Sequence, residues 1–239
     1  MNPLGHCCAI VVAAGNSSRM QSETSKIWLP LLGVPAIVRT LFAFEQTPGI
    51  DSIVVVCREQ DKEAVWNVKK EYYLSKIIQV VCGAETRQES VAAGVRAAPE
   101  EAQYFAIHDG ARPLIEPALI SRVLEDARIH GASALAVPVQ DTIKRVDENG
   151  FVTETPVRDG LWAVQTPQVF QRTLYLTALQ AATQAYTDDC QLIEYVGGKV
   201  HLCESSPENR KLTTPADLVY AEAVLKSRRE KSNENRSRI

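Results

Sequence analysis

Four stretches of the chain combine small residues, hydroxyls and cations in patterns suited to phosphorylated ligands. The first is Ala13-Ala14-Gly15-Asn16-Ser17-Ser18-Arg19-Met20, closed a few residues later by Ser25-Lys26. Small side chains let backbone N–H groups approach phosphate oxygens, while Arg19 and Lys26 supply countercharge. An ordinary strand-to-helix loop with two solvated cations would look the same. The stretch contains neither the G-x-G-x-x-G spacing of dinucleotide sites nor the G-x-x-x-x-G-K-[ST] of a P-loop.

The second stretch, Gly83-Ala84-Glu85-Thr86-Arg87-Gln88-Glu89-Ser90, places Gly83 and Ser90 where a base or ribose could sit, whereas Thr86 or Glu85 suits a helix cap. The third, His108-Asp109-Gly110-Ala111-Arg112-Pro113, offers a carboxylate suited to magnesium or a hydroxyl. Asp109 and Arg112 could equally form a local ion pair, and His108 reads as a structural hydrogen bonder. The fourth group comprises residues 141–145, 156–162 and 209–215, with Thr142, Arg158 and Lys211 among them. Lys144 and Arg145 read as a solvated face.

Elements must bring these stretches together. With 239 residues, 45% of them apolar and 23% charged, the chain can bury a full core as one domain covering residues 1–239. Strand-like runs at 8–14, 52–57, 77–82, 104–108 and 134–139 alternate with helical patterns. The helices open at Pro35 and run over about 61–73, 86–97 and 117–130. That order predicts an α/β fold, Rossmann-like, whose mostly parallel sheet carries helices on both faces. Ligands of such sheets lie beyond the carboxyl ends of the strands, where the first three stretches fall.

The alternation breaks at about 140–160. Asp147-Glu148-Asn149-Gly150 between two strand-like runs signals a hairpin. An isolated hairpin is marginally stable, so a projecting β-arm packed against a second copy of the chain is expected. Residues 227–239, charged and rich in Ser and Asn, are expected to form a disordered tail.

Composition excludes other roles. The formal charge of −3 argues against a nucleic-acid partner, and no apolar run approaches the roughly 20 residues of a membrane span. The amino terminus lacks the pattern of a secretion signal, which leads to a cytoplasmic expectation. Six cysteines without a C-x-x-C pair are expected as reduced, buried thiols.

Val11-Val12-Ala13-Ala14-Gly15, Arg19-Met20, Lys26, Leu29, Gly33 and Pro35 together resemble the signature loop of sugar-phosphate nucleotidyltransferases. Residues 108–113, 138–144 and 161–168 narrow the resemblance to the 2-C-methyl-D-erythritol 4-phosphate cytidylyltransferases, and it covers about residues 10–225. It implies a homodimeric enzyme that transfers CMP from CTP to methylerythritol phosphate in non-mevalonate isoprenoid synthesis, with magnesium held mainly by the triphosphate and no protein ligand set for it.

Carried onto this chain, the family's triphosphate loop falls on Ala13, Ala14, Gly15, Arg19 and Lys26. Its nucleotide-binding positions continue at Gly83, Ala84, Glu85 and Ser90. The sugar-phosphate contacts fall on Asp109, Arg112, Thr142, Arg158 and Lys211, with Thr142 and Arg158 serving the neighbouring subunit. Arg19, Lys26, Lys211, Thr142 and Arg158 are the residues expected to carry catalysis. Departures include Val12 for proline, Ser17 for glycine, Ala84-Glu85 for glycine-aspartate, and Thr187-Asp188-Asp189-Cys190 against a partly different pattern. Ribitol 5-phosphate cytidylyltransferases share fold and nucleotide but often read differently at Ala14 and at Gly110-Ala111.

Overall fold

The computed structural model describes residues 5–15 and 25–236. β1 (His6–Val12) is buried almost throughout, as a central parallel strand must be. Cys7, Ala9 and Val11 enter one apolar layer, and Cys8 and Ile10 enter the other. A short hairpin of β2 (Pro30–Leu31) and β3 (Val34–Pro35) then leads into α1 (Ala36–Gln46).

Next come β4 (Ser52–Cys57), α2 (Lys62–Glu71), β5 (Ile77–Cys82), α3 (Arg87–Arg96), β6 (Ala102–Asp109), α4 (Pro117–His130) and β7 (Ala132–Pro138). The arm is β8 (Arg145–Val146) and β9 (Val152–Glu154). β10 (Trp162–Gln171), α5 (Arg172–Ala181), α6 (Asp189–Tyr195), β11 (His201–Glu204) and α7 (Pro215–Arg236) complete the chain.

The sheet has seven strands in the order β11-β7-β10-β6-β1-β4-β5. All run parallel except β10, which is antiparallel to both β6 and β7. One face is covered by α1, α2, α4 and α7, through Ile37, Val65, Val123 and Ala221 among others. The other face is covered by α3, α5 and α6, through Val91, Tyr175 and Ile193. The α/β expectation therefore holds, with helices on both faces. Because β1 has β4 on one side and β6 on the other, the chain winds both ways from β1. The crevice at that reversal is where an open sheet binds ligands.

β10 carries Pro167 in its interior, a residue that removes a ladder donor and argues against a central strand in sequence terms. The structure accommodates it with a register break between Val164 and Gln168 opposite β7. The predicted tail is corrected in part, since residues 226–236 continue α7. Arg228 explains the extension locally: its guanidinium pairs with Glu116 at 2.6 Å and Glu208 at 2.7 Å, and donates to the Leu114 carbonyl. Lys, Arg and Glu are also good helix formers. Residues 237–239 lie outside the described part.

The arm hairpin is exposed along its length. Asp147 closes its turn by accepting from the backbone N–H of Asn149 and Phe151. All six cysteines are free, and burial pushes the Cys8 thiol up to about 11 and that of Cys57 up to about 12. Among the described residues no helix is long and apolar enough to cross a membrane.

α3, which carries the second candidate stretch at its start, lies against the sheet through Gly94. A Cβ there would stand 2.5 Å from Ile10 Cγ2 and 2.7 Å from Val56 Cγ2. Gly94→Ala should therefore overpack this contact at a cost of about 1–3 kcal/mol. A chain of this size loses about 2–4 °C of Tm per kcal/mol, so thermal unfolding should show a fall of at least about 2 °C. An unchanged Tm would mean that α3 shifts freely on the sheet.

Candidate active site

The carboxyl ends of β1, β5 and β6 open into one cavity of about 370 Å³. Ala13, Ala14 and Gly15 line it just after β1, Lys26 from the turn before β2, Ala84 and Glu85 from the loop after β5, Ser90 from α3, Asp109 from the end of β6 and Lys211 from the segment after β11. Residues from five separate parts of the sequence thus line one cavity. Gly83 stands directly behind it, because a Cβ there would lie 2.3 Å from Ala14 Cβ and 2.9 Å from Ser90 Oγ. Only glycine allows these two loops to touch.

Lys26 opens a 3-10 turn, Lys26–Trp28, that is anchored on both sides of its backbone. Ile27 is buried in the core, and the Trp28 indole N–H donates to Asp61 at 2.9 Å. Asp61 is held in turn by Arg58 at 2.6 Å. The lysine therefore leaves a fixed base. Arg19 and Ser17 lie outside the described residues.

Ser90 acts on the loop itself. Its hydroxyl accepts from the Ala84 N–H at 3.0 Å and sits within reach of the Ala84 carbonyl. Thr86 accepts from the Glu89 N–H while Glu89 accepts from the Thr86 N–H, a complete capping box that starts α3. The helix-cap account of Thr86 is correct.

Asp109 is a buried carboxylate shared by three cations. Lys211 Nζ lies 2.9 Å from its Oδ2, Arg112 Nε 3.7 Å from the same oxygen, and Arg87 Nε 3.4 Å from Oδ1. Burial would push the Asp109 carboxyl up, but Lys211, Arg87 and Arg112 outweigh it and hold the group well below the usual carboxylate range. Arg87 also pairs with the buried Asp189 at 2.6 Å. Tyr175 donates to the other Asp189 oxygen at 2.7 Å. Burial pulls the Arg87 guanidinium down, and the two carboxylates more than reverse this, so it stays charged. Arg112 itself turns away from the cavity and donates to the Asn209 carbonyl at 2.8 Å.

His108 belongs to the scaffold beneath. Thr166 Oγ1 accepts from the Asp109 N–H at 3.1 Å and lies 3.0 Å from His108 Nδ1, while His108 Nε2 faces the Arg112 carbonyl at 3.4 Å. A carbonyl only accepts, so the proton sits on Nε2 and the threonine hydroxyl donates to Nδ1. Burial pushes the imidazole down to about 3. It is therefore neutral, and fully hydrogen-bonded, at physiological pH.

Thr142 and Arg158 are exposed on and beside the arm and do not line this cavity. Arg158 donates to the Gln140 carbonyl at 2.6 Å, which fixes the base of the arm.

Comparison with known proteins decides the family. The profile of the 2-C-methyl-D-erythritol 4-phosphate cytidylyltransferases (IspD) matches residues 7–227. The chain belongs to this family. It is 44% identical over 229 residues to the protein of that name from Desulforamulus reducens, covering 94% of this chain and 98% of the relative. It is 40% identical to that of Caldanaerobacter subterraneus, covering 91% and 98%. Among solved structures, 4-diphosphocytidyl-2C-methyl-D-erythritol synthase from Anaerococcus prevotii superposes with a TM-score of 0.83 at 28% identity, covering 93% of this chain and 99% of that one. The Thermus thermophilus cytidylyltransferase gives 0.74 at 29% identity, covering 91% and 98%.

Within this cytidylyltransferase chain, sequence reasoning passed over Arg87 and Asp189, the pair that ties α3 and α6 to Asp109. A buried acid beside a cap residue, as in Asp188-Asp189, was the available signal: Asp188 caps α6, which leaves Asp189 to turn inward. Thr166 and Asn209 were also missed, since their work is done through the backbone of distant segments.

The neutral state of His108 has a measurable cost. An unfolded histidine titrates near 6.5, whereas the folded one titrates at about 3. Between those values the unfolded chain binds the extra proton, so stability is full above about 6.5 and falls with decreasing pH, by at most about 1.4 kcal/mol per unit. Urea unfolding from pH 6.5 to 4.5 should show this decline, and His108→Gln should show a shallower one. Equal slopes would overturn the assignment of a neutral, buried imidazole.

Proposed function

We infer that the chain transfers CMP from CTP to 2-C-methyl-D-erythritol 4-phosphate, releasing pyrophosphate and forming 4-diphosphocytidyl-2-C-methyl-D-erythritol. The observation that carries this reading is that Lys26 and the Lys211-Asp109 pair line one cavity at the sheet's switch point. Family membership supplies the substrates.

A phosphate monoester carries about −1.5 to −2 at neutral pH, and it must approach a triphosphate of higher charge. Repulsion is the barrier to be lowered. The monoester is already ionised, so no general base is required, and the neutral, hydrogen-bonded His108 is consistent with that. The work lies in alignment and in charge stabilisation.

Lys26, with Arg19 from the same loop, serves the α-phosphate and the departing pyrophosphate. Lys211 meets the incoming phosphate together with Thr142 and Arg158 of a second subunit. Asp109 positions Lys211 and keeps an oxygen lone pair for a substrate hydroxyl, while Arg112 supports both from behind. Gly83, Ala84, Glu85 and Ser90 form the side of the cavity where the base and ribose lie.

Asp109 and Glu85 are the carboxylates of the cavity wall among the described residues. Asp109 is occupied by cations and Glu85 is exposed, so these residues suit magnesium that is held mainly by triphosphate oxygens. When bound, that ion would offset phosphate charge. The cytoplasm, where CTP is made, is the place of work under this reading.

The arm supports a homodimer. Val146, Phe151, Val152 and Val157 are exposed to between 53% and 79% on or beside the arm hairpin, an apolar surface that a second copy would cover. Light scattering at micromolar concentration should give twice the chain mass, and a single-chain mass would overturn the exchanged arm. In the dimer, Arg158→Ala should chiefly raise KM for the sugar phosphate. An unchanged KM would place the arginine outside that pocket.

Pyrophosphate release from CTP should require methylerythritol phosphate and should not be supported at a comparable rate by ribitol 5-phosphate. Equal release with ribitol phosphate would transfer the assignment to that substrate. Lys26→Ala should lower kcat by at least about 10²-fold, as loss of a transition-state donor does. Retained turnover would remove the lysine from the reaction.

A further inference from the structure

At the opposite end of the sheet from the cavity, the amino ends of β7 and β11 meet the last turn of α4. Asp126, His130 and His201 point together there, and one potential ligand atom from each lies within 4.8 Å of the others. Asp126 and His130 are four residues apart on α4 and so share a face. His201 arrives from β11, where it pairs in register with Ser133 of β7. The cluster therefore joins a helix to the sheet's edge strand.

We propose that Asp126, His130 and His201 bind one zinc-like divalent cation. The donor set, two imidazoles and a carboxylate with room for water, is one that zinc accepts. His201 Nδ1 lies 2.7 Å from Asp126 Oδ2, and His130 Nε2 lies 3.7 Å from Oδ1. Bonds of about 2.0–2.1 Å in a tetrahedron place ligand atoms roughly 3.3 Å apart. The observed spacings straddle that value, and both imidazoles are exposed, so small side-chain rotations close the set.

Two features distinguish this arrangement from a simple surface ion pair. The His130 and His201 rings stack at 4.2 Å with an interplanar angle of 23°, which holds the second imidazole beside a carboxylate oxygen it does not hydrogen-bond. Asp126 is oriented from behind by the hydroxyl of the buried Ser133, which donates to its Oδ2. Such supporting bonds are the usual second layer of metal sites.

A bound ion would clip β11 to α4. β11 has four residues and a partner strand on one side only, and the segment that follows it carries Asn209 and Lys211 towards the catalytic cavity. The clip would stabilise the folded chain by mass action without touching substrate.

The test is titration of the nucleotide-free protein with Zn2+ alone, read by calorimetry and by the visible spectrum of a Co2+ substitute. The expected result is one saturable equivalent at micromolar concentration and a rise in Tm with added zinc. His130→Ala or His201→Ala should weaken binding by at least about tenfold and abolish the Tm rise, while His6→Ala should retain both. Turnover with CTP should stay at the wild-type level in the two cluster variants. Absence of saturable binding in the wild type, or equal binding in the His130 and His201 variants, would overturn the proposal.

Discussion

One buried carboxylate organises the cavity end of this molecule. Asp109 holds Lys211, Arg112 and Arg87 within 4 Å, although these side chains come from a loop after β11, the turn after β6 and the first turn of α3. Without it the three cations would repel one another in a partly desolvated space. Removing one partner from a buried ionic network typically costs about 3–5 kcal/mol, because charge is left uncompensated. The position of Asp109 is itself set by β6, whose register with β1 places it beside Val12, and by the Thr166 hydroxyl that receives its N–H. The sheet aims the carboxylate, and the carboxylate aims the cations.

Much of this was legible in residue order because the relevant signals were local. The apolar runs at 52–57 and 77–82 and the proline-started helix at 117–130 lie where residue pattern places them. Each is decided by its own side chains. The first three motif stretches fall after parallel strands, so their convergence followed from topology alone. β10 was hidden by Pro167, and β11 is too short to show a period. The helix over 227–236 was not legible in the sequence, since composition does not display the tertiary partners of Arg228.

Within the site, the residues that were legible are those that need a particular chemical type at a strand end. Those that were not are residues acting through other residues. Arg87 sits in a helix-start motif whose neighbours Thr86 and Glu89 already account for the local pattern. Its reach to Asp189, across 102 positions, depends on α3 and α6 covering the same face of the sheet. Ser90 shows the reverse: it was placed for ligand, but its hydroxyl is spent on Ala84, where it shapes the loop.

The electrostatic problem also explains how a chain with a net charge of −3 can bring two polyanions together. Exposed charges are screened beyond roughly 8–10 Å at physiological salt, so the acidic surface matters little inside a cleft. At the cavity the balance is reversed among the described residues, since Lys211, Arg87, Arg112 and Lys26 outnumber Asp109, Glu85 and Asp189. The low-dielectric floor of the cleft, formed by the ends of β1 and β6, strengthens that local excess. A uniformly basic protein would attract phosphates everywhere. A local excess of positive charge at the cavity attracts them where the two reacting groups can be aligned.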